Sequence, residues 1–297
     1  MATPTPPAGI IFQADFDIYT NDWIDIVTNN KETELANCFR QKSGAAQNIN
    51  YVSFSALQIA QLVSTVGAQN IKARFLVVRE APDKKYPNGY PHFALALFAT
   101  DNLNGRLSAY YISNQYWPTK EASEPENTNN DPSSAPSLVQ EGFTPSQLPD
   151  ALATYWQQNW SPAGDDPIAT QDMFDNAYGY LHGYTFELND FVQPLTSLPV
   201  PVKTPILPIL ETHYIRINFG LHQYYPATPN VQELNSTFGL MVSYVRPPKH
   251  DAAGPKGAEY RAAFEVLNAS GNHDTSQNPV DDTNVFYDLA HPCPPTC

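Results

Sequence analysis

The chain has 297 residues, of which 42% are apolar and 15% charged, with 28 prolines and a net charge of −14. The apolar share is a globular value that excludes a disordered or collagen-like chain, and the longest apolar run, 93–99, is far too short to span a bilayer. With 16 basic against 30 acidic residues, and the basic ones scattered singly or in pairs such as Lys84–Lys85, neither a nucleic acid nor an anionic membrane surface is an expected partner.

The amino-terminal run MATPTPPAGIIFQADF has no Lys or Arg before Lys31 and no sustained apolar segment, so it does not read as a signal peptide. Three cysteines, Cys38, Cys293 and Cys297, are too few and too unevenly placed for a disulfide framework, and a cytoplasmic location is expected. NDWIDIVTNN predicts an amphipathic helix carrying Trp23, with Thr20–Asp22 as its cap. In ELANCF, Cys38 falls at helical spacing and reads as a core residue. VSFSALQIAQLV (52–63) has a Ser ahead of an i, i+3, i+4 apolar pattern, the start of an N-capped helix. IKARF (71–75) alternates, with Ile, Ala and Phe on one face and Lys72 and Arg74 on the other, which predicts a strand. HFALALFAT (92–100) is its return strand, and RLSAYYIS (106–113), entered through DNLNG, is a third.

Residues 118–137, PTKEASEPENTNNDPSSAPS, hold no aliphatic side chain larger than Ala and read as a linker. Beyond it the same series recurs. DALATYWQQNW places Trp156 opposite Trp23, YTFELNDFVQPL (184–195) matches 52–63, and IRINF (215–219) matches 71–75. TFGLMVSYV (237–245) and YRAAFEVL (260–267) then stand for the second and third strands. The prolines of PVPVKTPILP (199–208) exclude a helix or central strand there. The expected fold is α+β: two duplicated units, each of helices plus a small antiparallel sheet of about three strands. The expected organisation is a first repeat over 1–117, a linker over 118–145, a second repeat over 146–267 and a polar tail over 268–297 that returns once through Phe286 and Tyr287.

NIKARFLV, HYIRINFG and the terminal HPCPPTC resemble a group of bacterial proteins that have a Trp-bearing first helix, a strand of G-x-R-x-Y type and a Cys-Pro-Pro tail. Asn70 and Tyr214 stand where that group has Gly. The resemblance implies no activity, cofactor or site residue.

Candidate chemistry is sparse. SGNHDT (270–275) resembles one metal-binding block of calcineurin-type phosphoesterases, which makes His273 and Asp274 the metal candidates, but the D-x-H and G-D-x-x-D blocks of a two-metal site are missing. His291, Cys293 and Cys297 offer soft ligands for zinc at one end only, and no matching pair exists to close a tetrahedral site. Asp15, Asp17, Asn21 and Asp22 form an oxygen-rich run without the spacing of a calcium loop. There is no G-x-S-x-G, no P-loop and no G-x-G-x-x-G. No cofactor is therefore expected, with zinc or calcium as the exceptions to test. Aromatic residues are the better recognition candidates. Tyr116 and Trp117, the pair Tyr224–Tyr225 and the pair Tyr110–Tyr111 fall at strand ends or in loops. These features suggest a non-catalytic binding or protein-interaction module with its site between the two repeats. The alternatives are a hydrolase, metal-assisted or not, with a site assembled from distant residues, and a structural subunit that forms homo-oligomers through exposed edge strands.

Overall fold

The segment 51–63 changes period halfway. YVSFS alternates intermediate and buried residues as a strand, β2 (Tyr51–Ser55), and ALQIAQLV then forms a helix that buries Ala56, Ile59 and Leu62. Ser55 makes the switch by a capping box: its hydroxyl accepts from the Gln58 amide while the Gln58 side chain accepts from the Ser55 amide. The predicted cap is therefore correct, but a strand precedes it.

The computed structural model describes residues 9–40, 48–114, 147–148, 150–161, 169–176, 179–196, 210, 214–224, 235–246, 261–262, 286–287 and 291–292. In chain order the elements are β1 (Ile10–Ile11), α1 (Gln13–Thr28), α2 (Glu32–Cys38), β2, α3 (Ala56–Val63), β3 (Asn70–Arg79), β4 (Pro91–Thr100) and β5 (Tyr110–Ile112). They continue with β6 (Gln147–Leu148), α4 (Asp150–Trp160), a 3-10 turn (Gln171–Phe174), the small hairpin β7 (Asp175–Asn176) and β8 (Gly179–Tyr180), then β9 (Gly183–Glu187) and α5 (Asn189–Thr196). The last are β10 (Tyr214–Tyr224), β11 (Asn235–Arg246), β12 (Arg261–Ala262), β13 (Phe286–Tyr287) and β14 (His291–Pro292). The protein is α+β, with antiparallel sheets throughout.

One sheet runs β1-β5-β4-β3-β9-β14; the other runs β6-β13-β11-β10-β2, with Asn114 bridged to the free side of β2 at Ser53. The central hairpins β3–β4 and β10–β11 come each from one half of the chain, but the strands beside them are exchanged. β2, from the first half, pairs with β10, and β9, from the second half, pairs with β3. The registers match: Phe54 lies opposite Ile215 and Phe186 opposite Ile71. Further out, Leu97 faces Tyr111 as Val242 faces Tyr287, and Tyr111 faces Ile10 as Tyr287 faces Gln147. The Ser53–Asn114 bridge has its counterpart in Thr185–His291.

These pairings correct the expected organisation in four respects. The halves 1–117 and 146–267 do not each build their own large sheet, because both large sheets draw strands from both halves. Each sheet has five or six strand positions rather than about three. The 268–297 segment, read as a tail with a single return, supplies β13 to one sheet and β14 to the other. Residues 260–267 were expected as the third strand; Arg261–Ala262 pair only with the end of β11, and the place equivalent to β5 is filled by β13.

The core explains the residue choice. β4 is buried at all ten positions because it is covered on both faces. Phe93, Leu95 and Leu97 point between the sheets, while Ala94 and Ala96, small enough to admit a helix, lie under Phe16 of α1. On the other sheet Ala153 and Trp156 of α4 pack on Met241. Between the sheets Phe75 meets Phe238 at 5.7 Å and Phe219 meets Phe93 at 5.3 Å, two contacts related by the same exchange of halves. At the centre Phe39 and Phe174 stack at 5.5 Å, each just ahead of an exchanged strand. Their carbonyls accept from the amides of Ile49 and Leu181, both at 2.7 Å.

Two tryptophans fasten the exchange. Trp23 Nε1 donates to the Leu181 carbonyl at 2.8 Å, two residues before β9, and Trp160 Nε1 donates to the Ile49 carbonyl at 2.9 Å, two residues before β2. By this correspondence Trp160, not Trp156, matches Trp23; Trp156 packs from α4 onto Met241 on the outer face of the second sheet. α1 begins at Gln13, so Thr20–Asp22 are mid-helix residues and neither a cap nor a calcium loop.

Candidate functional site

The space between the halves, where a ligand groove was expected, holds the fully buried rings of Trp23, Trp160, Phe39, Phe75, Phe174, Phe219 and Phe238. At this level the interface is a packed core. The search for a site therefore moves to the polar clusters outside it.

The first lies where α1 and α2 meet the end of β3. Arg79 donates to Asp22 at 2.9 Å and to Glu34 at 2.7 Å, so one guanidinium ties both helices to the strand. Lys31 pairs with Asp25 and holds that carboxyl below its ordinary range, first through their hydrogen bond. Beside them Tyr90 donates to the Arg40 carbonyl at 3.0 Å, and burial followed by Tyr86 pushes its phenol up to about 12. His92 Nε2 lies 2.9 Å from Glu80 Oε1, but His92 is 1% exposed and presents no usable base to solvent. Cys38 is buried in the same region, and desolvation pushes its thiol well above the ordinary value. The thiolate a nucleophile needs is thereby suppressed. These contacts brace the helices and offer no catalytic pair.

The second cluster is the outer face of the two sheets, which the period-two alternation places opposite the core. On the second sheet, Arg216 of β10 lies over the ring of Tyr51 at 4.0 Å, and Asn218 donates to Ser243 Oγ at 2.6 Å and to the Met241 carbonyl at 3.3 Å. That face is satisfied internally. On the first sheet the position of Arg216 is taken by Lys72, whose cross-strand neighbours are Phe98 and Thr185. The position of Tyr51 is taken by Gly183. Gly183 is obligatory: its φ is +152° and a Cβ would sit 2.0 Å from the Ala73 carbonyl oxygen. Lys72 thus has no ring above it.

Lys72 is 3% exposed, yet among the described residues it makes no hydrogen bond or ion pair, and its ammonium is not among the polar atoms sealed from solvent. The stem is buried and the head reaches out. Diagonally across the ladder, on the same face, Thr100 is fully buried and its Oγ1 has no partner. The sealed Thr100 hydroxyl is costly to keep without a partner, whereas the Lys72 head is left to water and uncovered by the fold.

Of the residues expected from sequence, Tyr116, Trp117, Tyr225, His273 and Asp274 lie outside the described residues, as do Cys293 and Cys297. Tyr224 ends β10, where its backbone pairs with Asn235. Tyr110 and Tyr111 are core residues rather than recognition residues: Tyr110 stacks on Phe16 at 3.8 Å and Tyr111 is 8% exposed on the inner face. Among the described residues no three His, Cys, Asp or Glu side chains converge on a point that could hold a metal ion, and no helix is long and apolar enough to cross a membrane. The outward placement of Lys72 was legible in IKARF; its lack of a partner was not, since that depends on a glycine more than a hundred residues away.

No family model matches the sequence, no curated protein matches it, and no solved structure matches the fold.

Proposed function

We propose that the protein is a non-catalytic binding module built from two duplicated units that have exchanged a strand and helix, and that it recognises its ligand on an outer sheet face rather than between the units. The duplication reading is supported by the matched registers on both sides of the exchange. The binding reading rests on one observation: Lys72 is buried along its stem and unpaired at its head, while its counterpart Arg216 is covered by Tyr51. A cation left uncovered on one sheet, at a position that the other sheet covers with a ring, is open to an outside partner. Hydrolysis finds no comparable support, because Cys38 and His92 are both buried away from solvent.

The test is a parallel screen of the full-length protein. Thermal-shift and calorimetric titrations against small acids, sugars and divalent cations are run beside ester and phosphoester turnover, with and without chelator. Saturable binding without turnover is the expected result. Chelator-sensitive hydrolysis above the buffer rate would overturn the reading in favour of a metal-assisted hydrolase.

A further inference from the structure

We propose that a second copy of this chain is a binding partner, through a reciprocally swapped dimer in which the first half of each chain packs on the second half of the other. This property stands apart from whatever the outer sheet face binds.

Neither half closes its own sheets. Within the first half β2 meets only the single bridge at Asn114, and its ladder partner is β10 of the second half. β3 in turn gives one whole side to β9. Pulled apart, the first half would expose the rings of Phe39, Phe75 and Phe93 and the second those of Phe174, Phe219 and Phe238, together with two open sheet edges. Such surfaces do not persist in water and pair with whatever complements them. The complement of a first half is a second half, and every copy carries one.

The contacts of a swapped joint are those of the closed chain: Phe54 beside Ile215, Phe186 beside Ile71, and the Trp23 and Trp160 indoles on the Leu181 and Ile49 carbonyls. Closed and swapped forms therefore differ in connection and not in contact energy, and the tether decides between them. The 32 residues between Asn114 and Gln147 span at most about 110 Å. A globule of this chain length is about 50 Å across, so the connection is long enough to enter a neighbouring copy. A tether of this length holds the halves at an effective concentration on the order of 1 mM. Swapped dimer should thus be about one part in a hundred at about 10 μM and comparable with monomer near about 1 mM. Because both forms share one core drawn from both halves, passage between them requires global unfolding, and the ratio set during folding persists after dilution.

Two cross-strand pairs read the joint directly. The Ser53 carbonyl accepts from the Asn114 amide on the far side of β2, so Ser53 and Arg216 face each other as a non-hydrogen-bonded pair, the closely spaced kind that a disulfide fits. Asn70 and Glu187 form the same kind of pair at the other joint, next to the hydrogen-bonded pair Gln69 and Leu188.

The experiment uses the full chain with Cys293→Ser and Cys297→Ser. Chains carrying Ser53→Cys alone are mixed with chains carrying Arg216→Cys alone, unfolded together in urea, and refolded at about 10 μM or about 1 mM before mild oxidation. The expected result at the higher concentration is a reducible species of twice the 33.0 kDa chain mass. It should be scarcer by about tenfold or more at the lower concentration, and absent when the two folded proteins are mixed without unfolding. Asn70→Cys and Glu187→Cys chains should behave the same way, which guards against misfolding of either pair. The double variant Ser53→Cys with Arg216→Cys should close its disulfide within one chain at the lower concentration. If it does so while the mixed single variants give no interchain disulfide at the higher one, the swap is overturned. A dimer that forms without the interchain disulfide is a face-to-face association and overturns it equally. Failure of both double variants to close within one chain would refute the exchanged pairing from which the swap is inferred.

Discussion

Each indole that crosses between the halves gives a direct measure of how strongly they are joined. Trp23 is fully buried and donates to Leu181; Trp160 is fully buried and donates to Ile49. Replacing either by Phe keeps an aromatic ring but removes the donor, which leaves the buried Leu181 carbonyl or the half-buried Ile49 carbonyl without its partner, at a cost of about 1–3 kcal/mol with Ile49 toward the lower end. The smaller ring leaves a void among Phe39, Phe75 and Phe174 for Trp23, or Phe39, Phe219 and Phe238 for Trp160, adding about 1 kcal/mol. Each variant should therefore lose about 2–4 kcal/mol, a large part of the roughly 5–15 kcal/mol that holds a typical domain. In urea titrations of the full chain, followed by far-ultraviolet circular dichroism, Trp23→Phe and Trp160→Phe should lower the midpoint by a similar amount, roughly 1 M, in a single transition. Trp156→Phe, which touches Ala153 and Met241 outside the inter-sheet core, should cost distinctly less. Two separate transitions, or a loss below about 0.5 kcal/mol for either crossing tryptophan, would refute the reciprocal exchange as the element that makes the halves one folding unit.

Four further outcomes follow from single residues. Gly183→Ala forces a Cβ to within 2.0 Å of the Ala73 carbonyl oxygen at a φ of +152°, so it should cost well over about 1 kcal/mol and strip exchange protection from the Phe75 amide, which bonds to His182 O. Gly220→Ala meets only Met241 Cε at 2.8 Å and the Trp156 backbone and Cβ near 3 Å, and the mobile methionine end lets it cost less. Cys38, 2% exposed and with its thiol raised by burial, should react with a disulfide reagent at pH 8 only at the rate of unfolding; an immediate stoichiometric reaction would contradict the placement of α2. His182 is held below its ordinary pKa of 6.5, first by desolvation and then by Arg74. A depressed histidine binds fewer protons folded than unfolded, so its contribution is fully present above 6.5 and is lost as pH falls from there toward the folded value. Stability measured between pH 7.5 and 5.5 should decline on acidification, and His182→Gln should flatten that decline; an unchanged slope would sink the assignment.

Much of the fold was legible because periodicity and local chemistry act over a few residues. The alternation in 71–75 and 215–219, the continuous apolar run of 93–99 and the Ser55 cap each specify their own element whatever surrounds them. Tyr110 and Tyr111 show the opposite case: a tyrosine in a short strand reads the same whether a helix covers it or water does, and only Phe16 of α1, stacked from far away in sequence, makes it core. The misplaced counterpart of Trp23 has a similar cause. Trp156 and Trp160 lie four residues apart, close to one turn, and nothing in DALATYWQQNW says which reaches the inter-sheet core.

The sequence by itself determined the strands at 71–75, 92–100 and 215–219, the helix start at Ser55, and the outward direction of Lys72 and Arg216, since these follow from spacing along one segment. Which strands pair was decided only in three dimensions, because backbone hydrogen bonds are the same between any two strands and the choice falls to side chains that meet across the core. Phe54 beside Ile215 and Phe186 beside Ile71 close one aromatic interior that neither half could close alone. The same long-range pairing set Gly183 beside Lys72 and Tyr51 beside Arg216, leaving one cation open and the other covered, a difference no local reading of either strand contains.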